Sequence, residues 1–70
     1  MAVASVSTIT AASPESWQDA TLLGLERARQ TLRGITGIKV LEEKARIEDG
    51  EITEYLVTLQ VVFVLEEDAE

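Results

Sequence analysis

The sequence contains no cysteine and no histidine. Without cysteine, no disulfide can staple the chain and no thiolate can hold a metal or attack a substrate. Without histidine, the commonest zinc ligand is missing, and so is the side chain that most readily moves protons near neutral pH. Basic residues are scarce too, six against thirteen acidic ones, which leaves a net charge of −7. Phosphate backbones demand a basic footprint, so nucleic acid is not an expected partner. No apolar run approaches the ~20 residues of a membrane-spanning helix. The opening Met1-Ala2-Val3-Ala4-Ser5 has neither the basic region nor the apolar core of a secretory signal. The expected location is the cytoplasm, with no membrane partner.

Two common ligand loops are missing as well. Gly34-Ile35-Thr36-Gly37 is too short for a dinucleotide fingerprint and follows a helix instead of opening one. Around Asp49-Gly50 a calcium loop fails: Ala45 and Ile47 stand where acidic ligands belong, and Leu56 replaces the closing glutamate. The carboxylates gather at one turn and in the tail, as solvated charge does. Catalysis needs a nucleophile with its base, a perturbed acid–base pair, or a metal, and none is written here. The chain is not expected to be an enzyme.

What is present is a 70-residue chain with 46% hydrophobic residues, one domain spanning 1–70. Chains of this size bury little of their surface and commonly rely on disulfides, a metal or partner subunits. Self-association is the route left open.

Residues 3–10 mix Val, Ile, Thr and Ser in rough alternation and read as a strand. Ser13-Pro14-Glu15-Ser16 then opens a helix, with Ser13 as N-cap and Pro14 in the first helical position, where a missing N–H costs nothing. Glu15 and Asp19 complement the positive end of the helix dipole. The helix is expected over 14–33, stopped by Gly34. Trp17, Ala20, Thr21, Gly24, Leu25, Ala28 and Leu32 share one face. Its small centre admits a sheet at close range, and Trp17 reads first as its core anchor and second as a subunit contact, with an indole N–H that needs a partner when buried. Leu22 and Leu23 point elsewhere, as surface residues or as subunit contacts. Arg27 is a candidate bridge between subunits.

A second strand over 38–47, an Asp49-Gly50 hairpin turn and a third strand over 52–65 complete the pattern. Along the third, Tyr55, Val57, Leu59, Val61, Phe63 and Leu65 alternate onto the face expected against the helix. The other face carries Leu56, Thr58, Gln60, Val62 and Val64, too apolar for free contact with water. Another subunit is the expected cover. The fold expected is α+β: a three-stranded antiparallel sheet packed on one helix, in the order β-α-β-β, with the third strand central. Residues 66–70, Glu66-Glu67-Asp68-Ala69-Glu70, form an acidic tail expected to fray.

Ser13-Pro14-Glu15-Ser16-Trp17, Glu26-Arg27-Ala28, Val40-Leu41-Glu42 and the run from Tyr55 through Gln60-Val61-Val62-Phe63 occur here in one order and at one length. In this the chain resembles the dodecin family from about Val6 to Leu65. The resemblance implies a hollow homododecamer and a flavin ligand: FMN, FAD or riboflavin. In flavin-binding members a Trp at the start of the second strand stacks on the ring, and a Gln early in the third strand hydrogen-bonds its edge. Those positions hold Gly37 and Leu56 here, and the Ser16-Trp17 helix start is similar to a branch without the stacking Trp, in which a calcium-bound form occurs. Gln60 reads first as an interface amide and second as a ligand contact. Two functions follow from the resemblance. One is a shell that binds or buffers a small molecule, flavin being the family expectation. The other is a structural or ion-binding assembly that takes calcium or magnesium without flavin.

Overall fold

The computed structural model describes residues 3–65, so the acidic tail at 66–70 lies outside the described residues. Four elements follow in the expected order: β1 (Val3–Ser13), α1 (Trp17–Thr31), β2 (Ile35–Glu48) and β3 (Glu51–Leu65). The sheet runs β1-β3-β2, with β3 antiparallel to both neighbours. The longest apolar strand therefore takes the centre, where both edges of its backbone are paired.

β1 runs three residues beyond the expected Thr10, because Ala11, Ala12 and Ser13 continue the ladder opposite Val57, Leu56 and Tyr55. That extension moves the helix start. Ser13 is the last residue of the strand and not the N-cap, and Pro14 lies in the bend before the helix and not in its first turn. The cap is Ser16, whose hydroxyl accepts the Asp19 N–H at 2.9 Å. Ser13 is fully buried and braces the corner: its hydroxyl accepts the Glu15 N–H at 2.9 Å and donates to the Asp19 carboxylate at 2.6 Å. The helix also ends before Arg33, at a C-cap on Leu32 whose N–H donates to the Ala28 carbonyl.

Every residue assigned to the apolar helix face is buried or half-buried. Ala20, Val57 and Leu59 form the core, with Ile9, Ala11 and Trp17 packed around it. A methyl group on Gly24 would stand 3.0 Å from a Leu59 methyl and 3.2 Å from the Ala11 Cβ. A methyl here would require Leu59 and Ala11 to give way by a few tenths of an ångström. Leu22 and Leu23 face away from the sheet, 56% and 49% exposed. The helix covers β1 and β3 and leaves most of β2 bare.

β2 starts at Ile35, three residues earlier than expected, and is irregular. Its register against β3 shifts between Ile35 and Gly37, between Val40 and Glu42, and between Arg46 and Ile47. Bulges of this kind bend and twist a strand. The hairpin turn is the one Asp-Gly implies: Asp49 and Gly50 both have positive φ, 53° and 80°.

Gly34 and Gly50 offer a controlled comparison. Both have positive φ, but a Cβ on Gly34 would meet the Val64 carbonyl oxygen at 2.9 Å, whereas one on Gly50 meets nothing within 4 Å. Gly50→Ala is expected to cost about 1 kcal/mol, the penalty for the left-handed region alone. Gly34→Ala should cost distinctly more, because the Val64 N–H also donates to the Gly34 carbonyl and ties the two backbones together. Urea midpoints of the two variants check this ordering, and equal shifts would contradict it.

Candidate functional site

Side chains directly opposite one another in an antiparallel ladder share a face, so the register identifies the residues on the side of the sheet away from the helix. β1 contributes Ala4, Val6, Thr8, Thr10 and Ala12, and β3 contributes Leu56, Thr58, Gln60, Val62 and Val64. The Thr10 and Thr58 hydroxyls meet at 3.2 Å across this surface. β2 adds Gly37, Lys39, Glu42, Lys44 and Arg46. The three site candidates of the sequence, Gly37, Leu56 and Gln60, therefore lie on one face, and nothing among the described residues covers it.

They do not lie together. Gly37 stands opposite Val62 and Gln60 opposite Lys39, so these two are near neighbours. Leu56 is six residues along β3 from Val62, about 20 Å at 3.3 Å per residue. One subunit cannot close both the Gly37 and the Leu56 positions on a single ring. A pocket that uses both draws them from different copies.

The local backbone at Gly37 is ordinary. Its φ lies outside the left-handed region, and a Cβ there would meet nothing within 4 Å. Backbone and surroundings alike admit a Cβ at this position.

Trp17 is engaged elsewhere. The indole packs against the core on the helix side, its N–H donates to the Lys44 carbonyl at 2.8 Å, and its ring meets Tyr55 edge-on with centroids 4.9 Å apart. The sequence's anchor thus has its hydrogen-bond partner and ties the start of the helix to β2 and β3.

The sequence reading missed the cationic row on β2. Lys39, Lys44 and Arg46 share the bare face, half of the six basic residues in the chain. Strict alternation would put Lys39 and Lys44 on opposite faces. The extra residue at the bulge between Val40 and Glu42 reverses the parity and aligns them. Arg46 is engaged by Glu54 at 3.0 Å. Arg27, the candidate subunit bridge, is exposed on the helix. Among the described residues no three carboxylates come together as a metal site, and no helix is long and apolar enough to cross a membrane.

A dodecin family model matches residues 3–66. Among solved structures, the dodecin of Streptomyces coelicolor superposes with a TM-score of 0.90 at 31% identity, covering 96% of each chain. A variant of the Thermus thermophilus dodecin gives 0.91 at 34% identity, covering 97% of this chain and 100% of that one. The calcium dodecin of Mycobacterium tuberculosis, a calcium-chelating antigen with a calcium-binding site, gives 0.79 at 29% identity over 97% of each. No curated protein matches the sequence.

The Trp17 contact predicts a specific cost. Trp17→Phe keeps an aromatic ring beside Tyr55 but removes the donor to the Lys44 carbonyl, a loss of about 1 kcal/mol. The urea midpoint should fall with its slope unchanged. An unaltered midpoint would mean that water replaces the indole at no cost.

Proposed function

This chain belongs to the dodecin family, and we propose that it works as a homododecameric shell that binds a small molecule between its subunits. The family consists of small-molecule-binding proteins without enzymatic activity, and the chain is not an enzyme. The observation that carries the proposal is the uncovered sheet face. Val6, Leu56, Val62 and Val64 make it apolar, and Thr8, Thr10, Thr58 and Gln60 supply a few hydrogen-bonding groups. A surface of that composition suits a concave, mostly apolar site once a second copy faces it. The exposed apolar residues Leu22, Leu23, Ile38, Val40 and Leu41 support assembly independently, since a lone monomer would present all of them to water.

The residues present do not fit a clamped flavin. Gly37 has no ring to stack and Leu56 no amide to offer, while the Trp17 N–H is spent on the opposite side of the sheet. This chain represents a branch of the family without the stacking Trp, and free flavin is held weakly. Stacking contributes about 0.5–1.5 kcal/mol beyond burial and a hydrogen bond about 1 kcal/mol. Riboflavin fluorescence should therefore be poorly quenched by the unaltered protein. Gly37→Trp combined with Leu56→Gln should tighten binding roughly ten- to sixtyfold. The open space around Gly37 makes that variant a fair test. Tight flavin binding by the unaltered chain would overturn the reading.

The charge favours a second ligand class. Each chain carries −7, twelve copies multiply it, and self-repulsion on that scale draws counter-ions. Hard divalent cations suit carboxylates, and calcium dodecin is a structural relative. No metal site forms within one subunit among the described residues, so calcium or magnesium would bridge copies. Either ion should raise the melting temperature more than a monovalent salt of equal ionic strength. Equal shifts would reduce the effect to screening.

A further inference from the structure

The sheet outruns its helix. α1 has fifteen residues, about 22 Å of helix, whereas β3 has fifteen in extended form, about 50 Å. The described chain is accordingly 58 Å long against 19 and 13 Å across. β1 stops pairing at Ser13 opposite Tyr55, and the helix starts at Trp17, beside the same Tyr55. Residues 46–54 of the β2–β3 hairpin therefore project as a bare two-stranded arm. Such a ribbon is marginally stable by itself in water.

The arm is polarised. Ile47 and Ile52 are direct ladder partners, share one side, and are 55% and 45% exposed. Around them the turn carries Glu48, Asp49 and Glu51 with no basic residue from 47 to 53. The arm's single Arg46 is already engaged by Glu54.

The opposite end of the molecule has the complementary character. Past the last turn of the helix lies a cleft of about 520 Å³ lined by Leu25, Leu32, Ile35, Gly34 and Arg29. A smaller adjoining concavity brings in Arg33 beside Phe63. Leu25, Leu32 and Ile35 make the lining largely apolar, and it carries two arginines: Arg33, and Arg29, whose exposed pair with Glu26 at 3.2 Å is of a kind worth little in water. The arm starts β3 and the cleft adjoins its end, so no arm reaches the cleft of its own chain.

We propose that the acidic arm of one copy seats in the arginine-rimmed cleft of the next, with Ile47 and Ile52 on the apolar floor and Glu48 and Glu51 facing Arg29 and Arg33. The contact is heterologous, head to tail, and such contacts close into rings when the rotation allows. It rests on the assembly proposed above and names surfaces that would build it.

Native mass spectrometry at low micromolar concentration tests the contact through charge exchange. Arg29→Glu with Arg33→Glu, and separately Glu48→Arg with Glu51→Arg, should each break the assembly into smaller species. The concentration for half-dissociation should rise about tenfold or more. Combining all four substitutions should restore the wild-type mass, an outcome that misfolded variants would not give. A chain ending at Leu65 should assemble normally. The arm contact is overturned if either double variant assembles like wild type, or if the fourfold exchange restores nothing. It is equally overturned if removing residues 66–70 has the effect expected of the arginine changes, because the acidic tail would then be the occupant. Wild type running as a monomer would overturn the assembly itself, which distinguishes the two failures.

Discussion

A three-stranded sheet has two faces and this chain has one helix. That mismatch governs the rest of the molecule. The helix gains close contact by presenting Ala20, Gly24 and Ala28 to the sheet, and the crossing is tight enough that even a methyl at Gly24 would press on Leu59. Having docked there over β1 and β3, it can cover neither the far face nor the exposed half of β2. The bare apolar surfaces of the sheet follow from what the helix leaves uncovered, and Leu22 and Leu23 add a further one on the helix's outer side. With no disulfide and a small core, the chain has little other means of stabilising itself than to bury those surfaces against copies of itself.

The bulges in β2 convert this bare face into something more specific. Without the extra residue between Val40 and Glu42, Lys39 and Lys44 would point to opposite sides of the sheet. With it, both join Arg46 on the face that also holds Gln60 and Leu56. A strongly acidic protein thus keeps half of its basic residues on the surface where its ligand contacts are expected. Sheet geometry, and not local sequence, makes that concentration of charge.

The parts of the fold that were legible are those written in unbroken patterns. β3 alternates without interruption, so its two faces and its central place could be read directly. Asp49-Gly50 fixed the hairpin because its turn demands positive φ at both residues. The helix start was misread because two serines compete. Ser13 precedes a proline and looks like a cap, but the strand continues through it, and Ser16 three residues later takes the role with Asp19 as its partner. The β2 faces were illegible for the opposite reason: a bulge leaves no signature in composition, and period-two counting fails past it. The site was half legible. Resemblance pointed to Gly37 and Leu56 as positions to inspect, and only the register places them about 20 Å apart on one face of the sheet.

The central claim is that this fold completes itself through its own copies, and the mass of the native particle tests it most directly. Native mass spectrometry of the purified protein at low micromolar concentration should give one dominant species at twelve times the 7.7 kDa chain mass. A monomer at that concentration, folded and unfolding cooperatively, would show that the uncovered faces tolerate water, and it would contradict the account.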